Sequence, residues 1–173
     1  MRVLIGYAMQ NPAFDIREIE RLCRENGKEL SVSIDDILDI SMRDSLADLV
    51  LHLFYMGEAG YNPDKMTAKD HIFPDSKLKR IRENGRLKYH QDARDRILNC
   101  ELLDPQDNLT KGDSLPERYL AQCNDDYLRL HGIPSPKEGE PNIWEMRSYD
   151  QFLRERRAIW TVRLSQNLQG LLS

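Results

Sequence analysis

The chain has 173 residues, with 25 lysines and arginines against 29 aspartates and glutamates, which gives a formal net charge of −4. This length suffices for one domain with its own core, and 40% hydrophobic with 31% charged residues is typical of a folded globular protein. No apolar run reaches the roughly 18 residues of a membrane span, and the N-terminus does not resemble a signal peptide, so we expect a cytoplasmic protein with no membrane partner. Taken alone, the acidic balance argues against a nucleic-acid partner, because nucleic-acid-binding domains are usually basic.

Three cysteines, Cys23, Cys100 and Cys123, lie far apart in the sequence. None of them forms a Cys-x-x-Cys pair. This spacing argues against a disulfide framework and against a zinc site held by cysteines.

The first third of the chain is predicted to be helical. Asn11-Pro12 can begin a helix that Gly27 ends, and Ser33 can cap a second, short helix. A third helix ends before Gly57, and we expect its apolar face to lie in the core. That face consists of Leu46, Leu49, Val50, Leu53 and Phe54.

The middle of the chain changes character. Two short apolar stretches, 66–73 and 97–103, are predicted to be strands, and a charged excursion at 77–96 separates them. Residues 105–113 have the composition of a turn, and Pro116 is suited to the first turn of a helix.

A long helix is predicted after Ser148, which can cap it, because apolar residues recur there every three or four positions. The apolar set is Tyr149, Phe152, Leu153, Ile159, Trp160, Leu164 and Leu168. The predicted fold class is therefore α+β and mostly α. We expect a single domain over 1–173, with a helical lead-in at 1–60, a core at 61–130 and a helical C-terminal part at 142–173.

One segment combines residue types that a reaction needs. Asp70 and His71 place a metal-binding carboxylate next to a potential general base, and Pro74 forces a turn soon afterwards. Neighbouring side chains of a regular strand point to opposite faces, so the two could share a site only where the strand bends. By itself, an Asp-His pair is most often structural.

Two asparagines extend this pattern. Asn99 and Asn108 are nine positions apart, and Lys111, Asp113 and Pro116 follow at short intervals. With the Asp-His-Ile-x-Pro stretch that begins at residue 70, this order resembles the HNH, or ββα-metal, endonuclease domain. In that family, one asparagine lies on the second strand and the other begins the helix that holds the metal.

A wider resemblance covers most of the chain. The segments that carry it are 70–78, 99–120, 127–134 and 152–159, which look like the C-terminal nuclease half of GmrSD-type modification-dependent restriction proteins and of phosphorothioation-sensing nickases. The resemblance implies an anti-phage effector whose partner is a nucleotide-hydrolysing sensor domain or subunit. The chain departs from the pattern by a longer interval between His71 and Asn99, and by an aspartate at position 75, where relatives often have glutamine.

Each residue of the motif has a role that phosphodiester hydrolysis requires. His71 would deprotonate the attacking water, and Asp70 and Asn108 are oxygen ligands suited to Mg²⁺ or Mn²⁺. Asn99 would fix His71 through a hydrogen bond to its ring or backbone. Lys111 would contact the scissile phosphate, or else be an exposed, solvated lysine.

Two stretches of the chain are basic although the net charge of the whole chain is negative. Residues 75–96 contain eight basic and four acidic residues, and residues 147–163 contain five arginines and two acidic residues. We expect these stretches to contact DNA phosphates, with Lys77, Lys79 and Arg80 as candidates nearest the motif. The net charge therefore predicts weak, strongly salt-dependent DNA binding rather than none.

The sequence thus predicts a metal-dependent DNA endonuclease or nickase. Two alternatives stay open: a catalytically silent nuclease fold that binds DNA or protein, and a helical interaction module in which the Asp-His pair is incidental. The remaining histidines are expected to be structural in the case of His52 and His131, and to lie on the surface or contact DNA in the case of His90.

Overall fold

A computed structural model describes residues 33–172, the last three by backbone alone, together with Arg21 and Glu25. The chain forms two compact units, Met1–Ser33 and Ile34–Ser173. In the first unit Arg21 and Glu25 are helical and form a salt bridge of 2.5 Å one turn apart. The rest of the helix predicted between Asn11 and Gly27 lies outside the described residues, and the predicted single domain stays a prediction.

The second unit is a mixed, mostly helical structure, as predicted. Its helices are α1 (Ile34–Leu38), α2 (Ala47–Tyr55), α3 (Asp75–Leu78), α4 (Gln91–Arg94), α5 (Pro105–Lys111), α6 (Pro116–Tyr119), α7 (Asp125–Leu130) and α8 (Tyr149–Leu172). Its strands are β1 (Ala68–His71), β2 (Arg82–Glu83), β3 (Arg86–Leu87) and β4 (Cys100–Leu103). Short 3₁₀ turns occupy Ile97–Asn99, Leu120–Gln122 and Met146–Ser148.

The strands form two small antiparallel sheets. β1 pairs with β4, with Asp70 opposite Glu101 and His71 opposite Cys100. β2 and β3 form a hairpin around Asn84 and Gly85, which both have positive φ angles, 51° and 78°. A two-residue hairpin turn requires this conformation, so the Asn-Gly pair marks a hairpin inside the charged excursion.

α8 links two clusters of buried apolar side chains. Trp160 packs against α2, where its ring stacks on Phe54 with the centroids 3.9 Å apart. Nearer the start of α8, Tyr149 and Phe152 pack on Phe73, which follows β1. Although α8 has 24 residues, neither it nor any other helix in the described part of the chain is apolar enough over a sufficient length to cross a membrane.

The apolar face predicted for α2 is partly wrong. Leu46 and Leu49 are 55% and 56% exposed, whereas Val50 and Phe54 are buried as predicted. Ala47, Leu51 and Tyr55 complete the buried face instead. The helix has more apolar positions than one packing face needs, and Ala47 lies in the buried cluster that also contains Trp160 of α8.

The prediction of a turn at 105–113 is also wrong, because α5 occupies most of it. The Asp104 side chain accepts a hydrogen bond from the Gln106 N–H at 2.9 Å, and Pro105 fills the first helical position. An aspartate cap followed by proline is a recognised start signal for a helix.

Two further boundaries differ from the prediction. The strand predicted at 97–103 begins only at Cys100, because Ile97–Asn99 forms a 3₁₀ turn, so Asn99 precedes the strand. The helix predicted from Pro116 is α6, which ends at Tyr119 and continues as a 3₁₀ turn.

Candidate functional site

Asp70 and His71 point toward different partners. β1 remains a regular strand through His71, so consecutive side chains alternate between its two faces. Asp70 contacts Lys111, whereas His71 contacts Asp95. Both side chains are partly exposed, at 21% and 17%. The expected bend that would bring them to one common group is absent from β1.

Lys111, the last residue of α5, is buried against the face that the paired strands β1 and β4 turn toward this helix. Its Nζ atom donates hydrogen bonds to the Asp70 carboxylate, to the backbone carbonyl of His71 at 2.8 Å and to Glu101 Oε1 at 2.7 Å. Burial alone would lower the pKa of the ammonium, but Glu101 and Asp70 outweigh burial and raise that pKa. The expectation of an exposed Lys111 is therefore wrong, and in this arrangement its charge is not available to a phosphate.

Glu101 is the counter-charge that the sequence pattern missed. It is fully buried, and besides Lys111 it accepts a hydrogen bond from the Tyr127 hydroxyl at 2.9 Å, while His131 Nδ1 lies 3.4 Å away. Burial would raise the pKa of Glu101, but Lys111 and His131 lower it below its ordinary value. His131 itself is buried, as expected for a structural histidine.

A buried carboxylate holds the ring of His71. Asp95 Oδ1 lies 2.9 Å from His71 Nε2, and Oδ2 accepts hydrogen bonds from Arg43 and, at 3.2 Å, from Gln91. Asp95 is only 1% exposed. Burial alone would raise its pKa, but the hydrogen bonds from Arg43, His71 and Gln91 lower the pKa below its ordinary value, which favours the ionised form.

The side chain of Asn99 hydrogen-bonds neither the ring nor the backbone of His71 among the described residues, which corrects the predicted role. Its side chain accepts from the Phe73 N–H at 2.9 Å and donates to the carbonyls of Phe73 at 3.1 Å and Arg94 at 3.0 Å. It is fully buried. Asn99 therefore joins the backbone just after His71 to the backbone just before Asp95.

Asn108 lies on α5, three residues before Lys111 and so on the same side of the helix. Its side chain is partly exposed and makes no hydrogen bond within residues 33–172, and Asp70 Oδ1 likewise has no hydrogen-bond donor there. With Lys111 positive and both Asp70 and Glu101 negative, this cluster retains one net negative charge. The two free oxygen ligands and this charge are compatible with Mg²⁺ or Mn²⁺.

Carboxylates, histidines and cysteines alone do not form a metal site here. Across residues 33–172 no group of three such side chains is arranged to hold a metal ion. A cation beside Asp70 would therefore need the Asn108 amide oxygen and water among its ligands.

The predicted phosphate contacts in the first basic stretch differ in accessibility. Lys77 forms an ion pair with Asp113 at 2.7 Å, and Lys79 lies 3.9 Å from Asp75. Arg80 is exposed and has no ion-pair partner among the described residues. Lys79 and Arg80 are the more accessible of the three cations.

The second basic stretch is largely structural. Arg156 is fully buried and donates to three backbone carbonyls, so the expectation that it contacts phosphate is wrong. Arg157 pairs with Asp35 of α1 and with Asp39, the residue that follows α1, and Arg163 binds the carbonyl of Leu130 at the end of α7.

Comparison of the sequence with models of known protein families and with characterised proteins found no match. The resemblance to HNH nucleases therefore depends on the motif residues alone.

Proposed function

We propose that the protein is a metal-dependent DNA endonuclease built on an HNH-like ββα core. One observation carries the proposal: β1, β4 and α5 pack together, with His71 on one face of β1 and Asp70 on the other, where it contacts Lys111 of the helix that also carries Asn108. In-line hydrolysis of a phosphodiester needs a base near the attacking water and charge stabilisation near the leaving oxygen, on opposite sides of phosphorus. Asp70 and His71 are the last two residues of β1 and both side chains are partly exposed, so a phosphate at the end of this strand would have one of them on each side.

His71 would act as the general base. Its ring is held by Asp95 through Nε2, and Nδ1 makes no hydrogen bond to residues 33–172. A ring that is oriented on one side and partly exposed on the other can accept a proton from a water placed beside the phosphate.

Asp70 and Asn108 would hold the divalent cation through their oxygens. Lys111 keeps the Asp70 carboxylate in place, and Glu101 offsets the charge of Lys111, so that Asp70 can still attract a cation. When bound, Mg²⁺ or Mn²⁺ would stabilise negative charge on the leaving 3′ oxygen.

DNA would be held mainly by exposed cations beside the core. These are Lys79 and Arg80, which follow α3, Arg82 of β2 and Arg86 of β3. Contacts from such side chains give weak, salt-dependent affinity without base specificity. One site of this kind cuts one strand, so nicking is the elementary act. In an anti-phage system, a nucleotide-hydrolysing sensor partner would supply target choice.

A second candidate function is a catalytically silent nuclease fold that binds DNA or protein. The ion pair between Lys111 and Asp70 favours it, because an ammonium beside the proposed ligand competes with a metal ion. Titration calorimetry with Mn²⁺ separates the two candidates: the nuclease binds the metal through Asp70 and loses that binding in Asp70→Asn, whereas the silent fold gives no heat that depends on Asp70.

Nicking of supercoiled plasmid in Mg²⁺ or Mn²⁺ tests the proposed activity. The parent protein should convert the plasmid to the open circular form, His71→Ala should not, and Asp126→Asn, which changes an exposed carboxylate outside the motif, should retain the activity. Equal nicking by the parent and His71→Ala would reveal a contaminant and contradict the proposal.

A further inference from the structure

We infer that Asp95 is the positioning residue of this site: its carboxylate accepts a hydrogen bond from Nε2–H of His71 and thereby leaves Nδ1 as the basic nitrogen. The catalytic meaning of this inference rests on the proposed function. The tautomer itself is a property of the folded chain and can be measured without any activity.

The first argument is the chemistry of the contact. An ionised carboxylate can only accept hydrogen bonds, so the nitrogen that lies 2.9 Å from Asp95 Oδ1 must carry a hydrogen. That nitrogen is Nε2. In the neutral imidazole only one nitrogen carries a hydrogen, and Nδ1 is consequently left with a free electron pair.

The second argument is that Asp95 is itself firmly placed. Its N–H donates to the carbonyl of Gln91 at 2.8 Å, and its carbonyl accepts from the N–H of Met42 at 2.7 Å. Arg43 and the side chain of Gln91 occupy its second carboxylate oxygen. With backbone and side chain both anchored and water excluded, the carboxylate holds the imidazole in one orientation.

The third argument is the surroundings of the other nitrogen. Nδ1 has no hydrogen-bond partner within residues 33–172, and the side chain is 17% exposed. Asn99, which the sequence suggested as the partner of His71, is fully engaged by the backbone at Phe73 and Arg94. Asp95 is thus the described side chain in contact with the ring that can set its tautomer.

Substitution by asparagine tests the inference because an amide can donate as well as accept. In Asp95→Asn, the amide NH₂ can donate to Nε2, which stabilises the tautomer with its hydrogen on Nδ1. The arginine–carboxylate pair with Arg43 is lost at the same time, so the ring is also less firmly held. Arg43→Gln, a change on the surface, removes only one support of Asp95 and should give an intermediate result.

The experiment is ¹⁵N NMR of the imidazole rings in the full chain, at an alkaline pH where the rings are neutral, with His71 assigned by the loss of its signals in His71→Gln. We expect the parent to show Nε2 protonated and Nδ1 unprotonated, more completely than at exposed His90, and Asp95→Asn to shift His71 toward the other tautomer. Asp126→Asn, the same change at an exposed carboxylate, should leave the His71 signals unchanged. The inference would be overturned if the ring signals of His71 matched those of His90. It would also be overturned if these signals were the same in the parent and in Asp95→Asn.

Nicking rates then separate this inference from the proposed function. If the parent nicks DNA, Asp95→Asn should reduce the rate about 10- to 100-fold, as supporting residues around reactive groups do. If the parent does not nick DNA while the tautomer follows Asp95, the proposed function fails and the positioning of His71 stands. An unchanged rate in Asp95→Asn, together with an unchanged tautomer, would contradict the inference alone.

Discussion

The Nζ atom of Lys111 lies 2.7 Å from Oε1 of Glu101, and both side chains are almost completely buried. The ammonium also holds Asp70, the only member of this trio that reaches solvent to a substantial extent. A charged pair in the interior thus orients the carboxylate that we assign to metal binding. The Lys111–Glu101 pair therefore contributes to the stability of the core and also fixes the position of Asp70.

Removing the cation should cost more stability than removing the buried acid. Lys111→Met leaves two carboxylates without their counter-charge, so we expect the free energy of unfolding to fall by about 3–5 kcal/mol. Glu101→Gln should cost less, because Lys111 still pairs with Asp70. Urea denaturation measures both values. Lys137→Met, which breaks an exposed pair with Glu155, should change stability by less than about 1 kcal/mol. Equal costs for the two buried variants would contradict the assigned charges.

Stability should decline in mildly acidic solution because of His131. Burial lowers its pKa to about 4, against the opposing attraction of Glu101. Above pH 6.5 the histidine is neutral in both the folded and the unfolded chain, and its contribution is fully present. Between pH 6.5 and pH 4 only the unfolded chain takes up the proton, so the contribution is lost as the pH falls through this window.

The expected loss from His131 between pH 7 and pH 5 is about 2 kcal/mol. Urea denaturation at the two pH values measures it. His131→Gln should remove this part of the pH dependence, whereas His90→Gln should retain it. An unaltered pH dependence in His131→Gln would show that this histidine is not held neutral.

Gly132 should not tolerate a side chain. Its φ angle is +58°, and an added Cβ would come within 2.6 Å of Phe54 Cζ and 3.2 Å of Trp160 Nε1. We expect Gly132→Ala to lower the free energy of unfolding by roughly 2–4 kcal/mol. Gly139→Ala is the matched control, since its φ angle is also positive but nothing lies within 4 Å of the new Cβ. The control should lose only about 1 kcal/mol, and similar losses in both variants would argue against the close packing at Gly132.

Arg156 should matter for stability rather than for DNA contact. Its guanidinium donates to the carbonyls of Leu98, Cys100 and His131 at 2.7–2.8 Å. A lysine ammonium lacks the planar fork that satisfies all three, so Arg156→Lys should cost roughly 2–4 kcal/mol in thermal or urea unfolding. Arg154→Lys, at an exposed position of the same helix, should stay within about 0.5 kcal/mol of the parent. A neutral Arg156→Lys would contradict the buried network.

The sequence predicted those elements whose signal is local. Apolar periodicity located α1, α2 and α8, and the two apolar stretches gave the pair β1 and β4. The turn predicted at 105–113 overlooks the helix start signal Asp104-Pro105, and the prediction makes no use of Asn84-Gly85, which closes a hairpin.

The supporting residues of the site could not be predicted in this way. Asp95 is 24 residues from His71, and nothing local distinguishes it from the other acids in the charged excursion. Asp95 comes close to His71 only in the folded chain, where the segment that leads into β4 runs beside β1 and Asp95 is buried. Lys111 and Arg156 were placed at the surface for the related reason that charge alone does not reveal a partner distant in sequence.

The rate of plasmid nicking under single-turnover conditions tests the central claim most directly. General-base catalysis contributes about 10²–10⁴-fold, so His71→Ala should nick supercoiled DNA at least about 100-fold more slowly than the parent at equal concentrations of folded protein. Chelation of the divalent cation should abolish the reaction in both. A parent protein that does not nick DNA, or that nicks no faster than His71→Ala, would contradict the assignment of a nuclease site to β1, β4 and α5.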